Sequence, residues 1–160
     1  MRVTHEMTAI VAAAVLLSAG HWLADGRPSG IPAVELAKTP LKEGEIALAT
    51  LQEEGLDGVV FIDARKPEEW RADGLEGSIN VTTLSDQDLV QQLEPHLERL
   101  MTARRIVVYC GDIHCGLSHE LAERLRDGFS DVLPGRPLVL QGGMTALREA
   151  GLVKETSYSS

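Results

Sequence analysis

Two cysteines, Cys110 and Cys115, are the only thiols in the 160-residue chain, and they lie five positions apart. A thiolate is a strong nucleophile, and two neighbouring thiols can also form a disulfide. Cys110 directly follows the apolar run 106–109, and a helical pattern begins at Ser118. A thiol between a strand end and a helix start meets free backbone N–H groups and a positive dipole end, which stabilise an anion on sulfur. The segment 110–118 is therefore the leading candidate for nucleophilic chemistry, with Cys110 as the nucleophile.

The same segment has other interpretations. Both cysteines could be small buried apolar groups, although their position between two elements favours a function. Cys110, His114, Cys115 and His119 are all zinc-type ligands, but their spacing fits no standard zinc finger. We therefore predict neither a metal nor another cofactor. Either histidine, when protonated, would stabilise a nearby thiolate.

Apolar runs alternate with helical patterns along the chain, which predicts an α/β domain with a mostly parallel sheet flanked by helices. Ligands of such sheets bind beyond the carboxyl ends of the strands, which selects the loops after Ile62, Tyr109 and Leu140. Within the helices, Pro95 interrupts the third pattern, Ser118 is expected as the N-cap of the fourth and Gly128 as its end. The predicted strands cover 59–62, 79–81, 106–109 and 138–140, and the predicted helices cover 46–54, a short segment from Pro67, 89–101, 118–126 and 145–150.

The N-terminus carries an uncharged, largely apolar stretch over residues 7–24, preceded by Arg2 and followed by Asp25 and Arg27. This pattern predicts a signal peptide or a membrane anchor, with the following domain outside the cytoplasm, on the periplasmic side in a bacterium. A buried N-terminal helix of a soluble protein is the alternative, but the stretch has no polar face. The predicted organisation is a signal or anchor (1–24), a Pro- and Gly-containing linker (25–40), a folded domain (41–155) and a tail (156–160).

The composition excludes some classes of partner. Hydrophobic residues make up 44% and charged residues 24% of the chain, which is ordinary for one globular domain. Aromatic residues are only 4% and the net charge is −9, with no visible basic patch. Such a chain repels phosphate backbones and offers few rings for base stacking, so no nucleic-acid partner is expected.

The region 41–155 resembles the rhodanese-like domain, in a variant with a Cys-x4-Cys loop and an N-terminal membrane or export segment. The resemblance follows the order and spacing of the family's blocks: the strand with its Asp and Arg, the small-residue segment, the active-site loop with its helix, and the closing Gly-Gly motif. In this sequence these blocks are 61–70, 77–80, 107–110 together with Ser118, Leu121, Ala122 and Leu125, and 139–144.

The resemblance implies a sulfur carrier. By this resemblance, Cys110 takes sulfane sulfur as a persulfide and passes it to a thiophile. The implied partners are a small sulfur donor and a protein thiol acceptor. Asp63 and Arg65 would brace the pocket, and Trp70 is expected in the core. The other residues expected to form or support the pocket are Gly111, Asp112, Ile113, His114, Gly116 and Ser118.

The sequence departs from the family pattern in three places. Seven residues separate Cys110 from Ser118, and none of them is the usual Arg that helps to bind anionic donors. The segment 73–78 lacks the common His and Pro, and Leu147 replaces a common Trp. Two other functions therefore stay open: a dithiol–disulfide redox protein with Cys115 as resolving thiol, and a non-catalytic binding module. A phosphatase is weaker, because a phosphate site needs the missing Arg.

Overall fold

The structure is a computed structural model that describes residues 39–111 and 114–153. The predicted N-terminal segment 1–24, most of the linker and the tail lie outside these residues. Among the described residues, no helix is long and apolar enough to cross a membrane. The elements in chain order are β1 (Glu45–Ile46), α1 (Leu48–Glu54), β2 (Val59–Asp63), α2 (Pro67–Asp73), β3 (Ile79–Asn80), α3 (Leu89–Leu93), a 3-10 turn (Glu94–His96), α4 (Leu97–Met101), β4 (Arg105–Tyr109), α5 (Leu117–Phe129), β5 (Leu138–Leu140) and α6 (Gly143–Glu149).

The strands form one parallel sheet in the order β1-β5-β4-β2-β3. The longest pairing joins β2 and β4, and their last residues, Asp63 and Tyr109, are in register at the carboxyl edge. Both strands are nearly continuous apolar runs because a central parallel strand is covered on both faces. The predicted α/β class with a mostly parallel sheet is thus confirmed.

Two apolar clusters cover the two faces of the sheet. Successive side chains of a strand point to opposite faces, so Ile106 and Val108 enter one cluster while Val107 and Tyr109 enter the other. The first cluster also contains side chains of helices α3 to α5, and the second contains side chains of α1 and α6. The carboxyl ends of β2 and β4 are therefore fixed from both sides.

Helix boundaries differ from the prediction where tertiary contacts outweigh local signals. Ile46 belongs to β1 and pairs with Leu140, so α1 begins only at Leu48. A two-residue strand is too short to produce a periodic pattern. The interruption at Pro95 is confirmed by the 3-10 turn between α3 and α4. The last helix begins at Gly143, two residues earlier than predicted.

The helix after the cysteines also corrects the prediction. Its N-cap is Gly116, which places Ser118 in the first turn rather than at the cap. The helix continues past Gly128 to Phe129. The ring of Phe129 packs against the core, and this contact offsets the weak helix propensity of Gly128. Trp70, expected in the core, is only half-buried, because α2 lies at the surface and none of its residues is buried.

Candidate functional site

Cys110 lies at the carboxyl edge of the sheet, directly after the central strand β4. Its backbone is fixed from a second element, since the Met144 N–H donates to the Cys110 carbonyl at 2.8 Å. The neighbouring strand contributes a similar bond, from the Ala64 N–H to the Tyr109 carbonyl at 2.8 Å. The start of the loop is therefore held by the segments that follow β2 and β5.

The Gly-Gly pair before Met144 permits this close approach. Gly142 and Gly143 both have positive φ, 78° and 50°, a region that side chains other than glycine rarely adopt. A Cβ atom on Gly143 would clash with the carbonyl oxygen of Cys110. The glycines are thus required by the backbone of the candidate nucleophile.

Cys110 and Cys115 form a disulfide, with their Cα atoms 6.3 Å apart. Cys110 is 1% exposed, whereas Cys115 is partly exposed. The Cys110 Sγ lies 3.4 Å from the hydroxyl of Ser118, which is also buried, and 3.3 Å from the Cys115 carbonyl oxygen. In the reduced protein this hydroxyl, which belongs to the first turn of α5, would lie beside a Cys110 thiolate.

Asp63 and Arg65 lie at and just after the end of β2 and bond to each other. The Asp63 carboxylate accepts from the Arg65 backbone N–H at 2.9 Å, from Nε at 3.0 Å and from Nη2 at 2.8 Å. The remaining Nη1 donates to Asp73 at 2.9 Å. Asn80 closes the turn by donating to the carbonyls of Asp63 and Arg65, each at 2.9 Å.

The ion pairs keep the Arg65 guanidinium charged and engaged. Burial opposes its charge, but the carboxylates of Asp63 and Asp73 outweigh that cost and raise its pKa above the ordinary value. Asp73 is shared with Arg148 of α6, so α2, the loop after β2 and α6 are joined through one carboxylate. Each guanidinium nitrogen of Arg65 already bonds to a carboxylate. Arg65 therefore does not take over the anion binding of the arginine missing from the 110–118 loop.

A second polar cluster, which the sequence did not reveal, surrounds the buried Tyr109. Its hydroxyl accepts from the Leu75 N–H at 3.0 Å and lies 3.1 Å from the hydroxyl of Ser78. Ser78 donates to the Leu75 carbonyl at 2.7 Å and accepts from the Trp70 indole N–H at 3.1 Å. Burial and the charge of Asp63 raise the pKa of Tyr109, so its hydroxyl stays neutral. The only sequence signal was a tyrosine at the end of an apolar strand.

The predicted loop residues divide into buried and exposed members. Ser118 is buried against the sulfur, Gly111 is partly exposed, and His114 and Gly116 are exposed. Asp112 and Ile113 lie outside the described residues.

His119 has a partner that the sequence did not predict. Its Nε2 lies 3.0 Å from Oε1 of Glu45, a nearly buried carboxylate of β1. Within residues 39–111 and 114–153, no group of three or more His, Cys, Asp or Glu is arranged to hold a metal ion. The alternative quartet of two cysteines and two histidines is not assembled there.

The site thus consists of a buried sulfur at a strand end, a hydroxyl beside it, a helix start and a second sulfur in bonding range. Such an arrangement can carry out thiolate attack and thiol–disulfide exchange. The sequence model of the rhodanese-like domain family matches residues 46–150, and the chain therefore belongs to that family. The match falls inside the predicted domain 41–155.

Solved structures with related folds include proteins of different descriptions. A Bacillus halodurans protein is 22% identical, with a TM-score of 0.49 over 70% of this chain and 77% of its own. Thiosulfate sulfurtransferase from Pseudomonas aeruginosa is 25% identical, with a TM-score of 0.49 over 74% of this chain but only 21% of its own. A Rhodopseudomonas palustris protein of unknown function, described as a possible tyrosine phosphatase, is 23% identical, with a TM-score of 0.42 over 79% and 97%. No curated protein matches the chain.

Proposed function

We propose that this protein is a sulfur carrier that forms a persulfide on Cys110. The reduced Cys110 thiolate attacks the sulfane sulfur of a donor, a new S–S bond forms on Cys110, and the remainder of the donor leaves with its electron pair. The observation that carries the proposal is the position of Cys110 Sγ at the strand end, 3.4 Å from the buried Ser118 hydroxyl and at the start of α5. Both features stabilise negative charge on sulfur, in the thiolate and in the persulfide.

The charge distribution favours a weakly anionic donor. The segment 110–118 contains Asp112 but neither Arg nor Lys, and the whole chain carries a net charge of −9. Arg65, the buried arginine at the neighbouring strand end, is engaged by Asp63 and Asp73. We expect a donor with one charge, such as a thiosulfonate or a protein persulfide, to react faster than the dianion thiosulfate. A protein thiol would then complete the turnover.

Intact mass of the full-length chain tests the proposal. The reduced Cys115→Ser variant, freed of reductant, is treated with benzenethiosulfonate, which leaves as benzenesulfinate after transferring its outer sulfur. We expect the gain of one sulfur atom, removable by reductant and absent from the Cys110→Ser variant. An unchanged mass with this donor, with thiosulfate and with inorganic polysulfide would contradict the sulfur-carrier function and favour a binding module.

A dithiol–disulfide redox protein is the second candidate, favoured by the observed pairing of Cys110 with Cys115. In this role the pair would exchange two electrons and two protons with a partner dithiol, without carrying sulfur. The reduced wild-type chain should then lose two hydrogens on mild oxidation and gain no sulfur from any donor. A reversible disulfide that requires both cysteines, without any persulfide in Cys115→Ser, would establish this function in place of the first.

We also propose that the apolar stretch 7–24 exports the domain or tethers it to a membrane, outside the cytoplasm. The support is its uncharged composition and its flanking residues Arg2, Asp25 and Arg27. In that compartment a disulfide persists unless a dedicated reductant opens it. Cell fractionation with and without residues 1–24 tests this localisation, and recovery of the full-length chain in the cytosol would contradict it.

A further inference from the structure

The two sulfurs of the Cys110–Cys115 disulfide stand in different surroundings. Cys110 is closed in by the sheet, by α5 and by the Gly-Gly turn, whereas Cys115 is partly exposed between the exposed residues His114 and Gly116. Disulfide exchange requires an incoming thiolate to reach one sulfur directly. In this disulfide form, an external thiol therefore meets Cys115 first.

The same asymmetry decides which sulfur leaves. Attack on Cys115 Sγ expels Cys110 as a thiolate. The Ser118 hydroxyl, in the first turn of the 13-residue helix α5, then stabilises its charge. Attack on Cys110 would instead expel a Cys115 thiolate, whereas the Ser118 hydroxyl lies beside the Cys110 sulfur, at 3.4 Å. A better-stabilised leaving thiolate departs faster. Exposure and leaving-group stabilisation thus favour the same direction.

We propose that Cys115 discharges the Cys110 persulfide as hydrosulfide and that a protein dithiol then reopens the disulfide by attacking Cys115; this inference rests on the proposed function. In the first step the Cys115 thiolate attacks Cys110 Sγ, the bond from Sγ to the outer sulfur breaks, and that sulfur leaves as HS⁻ with the bonding pair. The Cα separation of 6.3 Å lies within the range that disulfides span, so the attack needs no change of fold.

The second step restores both thiols. One thiolate of the reductant attacks Cys115 Sγ, forms a mixed disulfide and releases the Cys110 thiolate. The second thiol of the reductant then displaces Cys115 and closes the reductant's own disulfide. In sum, one sulfane sulfur takes two electrons from one dithiol and leaves as hydrosulfide. The substrate classes are a sulfane-sulfur donor and a dithiol, and the product is sulfide.

A single-turnover experiment on the full-length chain tests the discharge step. Reduced wild-type protein, freed of reductant, is mixed with benzenethiosulfonate, and sulfide, benzenesulfinate and intact mass are followed. We expect one sulfide per chain together with the loss of two hydrogens. The Cys115→Ser variant should release benzenesulfinate but keep the added sulfur and form no sulfide, and Cys110→Ser should do neither.

The outcomes separate this inference from the proposed function. A wild-type persulfide that persists as long as the one in Cys115→Ser, without sulfide, would overturn the discharge step and leave the carrier function intact. Failure of every variant to take up sulfur would remove the carrier function, and the inference with it.

A trapping experiment tests the direction of reduction. The oxidised wild-type chain is mixed with a thioredoxin whose second cysteine is replaced by serine, so that the mixed disulfide accumulates. Proteolysis before Asp112 separates the peptides that carry Cys110 and Cys115. We expect the trapped thioredoxin on the Cys115 peptide, with Cys110 free for alkylation. Trapping mainly on Cys110 would overturn the assigned direction.

Discussion

At the scale of single residues, the candidate nucleophile Cys110 depends on neighbours that would not themselves react with a substrate. Gly143 leaves room for the Cys110 carbonyl, and Ser118 places a hydroxyl beside the sulfur. The first contact fixes the backbone and the second acts on the charge of the side chain. Substitutions at these two positions should therefore affect different properties.

Gly143→Ala should destabilise the protein by about 2 kcal/mol or more, because the new methyl group meets the Cys110 carbonyl at a positive φ. Urea unfolding measures the change. Gly151→Ala is the matched control, since Gly151 also has a positive φ, 69°, but its added Cβ would meet nothing within 4 Å. Equal losses in the two variants would show that backbone strain alone, and not the contact with Cys110, explains the effect.

Ser118→Ala should slow alkylation of Cys110 by roughly tenfold, since a hydrogen bond to a charged group contributes about 1.5 kcal/mol or more. The measurement is the rate with iodoacetamide at neutral pH in a Cys115→Ser background, where Cys110 is the only thiol. Ser118→Thr keeps the hydroxyl and should retain most of the rate. A serine-to-alanine change without effect on the rate would mean that the hydroxyl does not act on the sulfur.

At the scale of elements, polar side chains tie the helices to the strand ends. Asp73 at the end of α2 accepts from Arg65 and from Arg148 of α6. Burial of this carboxylate opposes its charge, but the two arginines outweigh that cost and lower its pKa. The carboxylate therefore stabilises the native fold only while it is ionised.

Asp73→Asn should lower the free energy of unfolding at pH 7 by about 2 kcal/mol, the usual effect of losing hydrogen bonds to charged groups. The native contribution of Asp73 is complete above the unfolded carboxyl pKa of about 4 and is lost as the pH falls through the lowered folded value. Urea unfolding at pH 7 and pH 3 should show the difference from wild type shrinking in acid. Asp127→Asn, at an exposed carboxylate of α5, is the control and should have little effect. A difference that does not change with pH would contradict the role assigned to ionised Asp73.

The end of helix α5 beyond Gly128 can be tested by substitution. Gly128 is exposed, lies inside the helix and has open space where a Cβ would be. Gly128→Ala should therefore raise the free energy of unfolding by about 0.5–1 kcal/mol, the difference in helix propensity between the two residues. Thermal or urea unfolding measures this gain. A loss of stability would instead indicate that the helix ends at Gly128.

At the scale of the whole molecule, the described domain is stabilised by the two apolar clusters on the faces of its sheet rather than by its disulfide. The clusters draw on all five strands and most of the helices, whereas the Cys110–Cys115 bond closes a loop of only a few residues. A loop that short has little chain entropy to lose when it is closed. The fold can therefore keep its shape while the disulfide opens and closes.

Reduction of the disulfide, or Cys115→Ser, should lower the free energy of unfolding by about 2 kcal/mol or less and leave a cooperative transition. Circular dichroism and urea unfolding, with and without reductant, measure this. Cys115→Ser should be insensitive to reductant, which makes it the internal control. Loss of the folded state on reduction would show that the disulfide is structural, and would count against a cycling dithiol.

The sequence alone determined the α/β class, the strand before Cys110 and the break at Pro95. These features come from local patterns: continuous apolar runs and the missing N–H of proline. The two-residue strand β1, the bonds around Tyr109, the partner of His119 and the first turn around Ser118 were decided only by the tertiary structure. Each of these features joins residues that are distant in the chain or depends on where a helix starts. Features of both kinds leave no periodic pattern in the sequence. The unequal exposure of Cys110 and Cys115 belongs to the same group, because burial is set by the sheet, α5 and the Gly-Gly turn together.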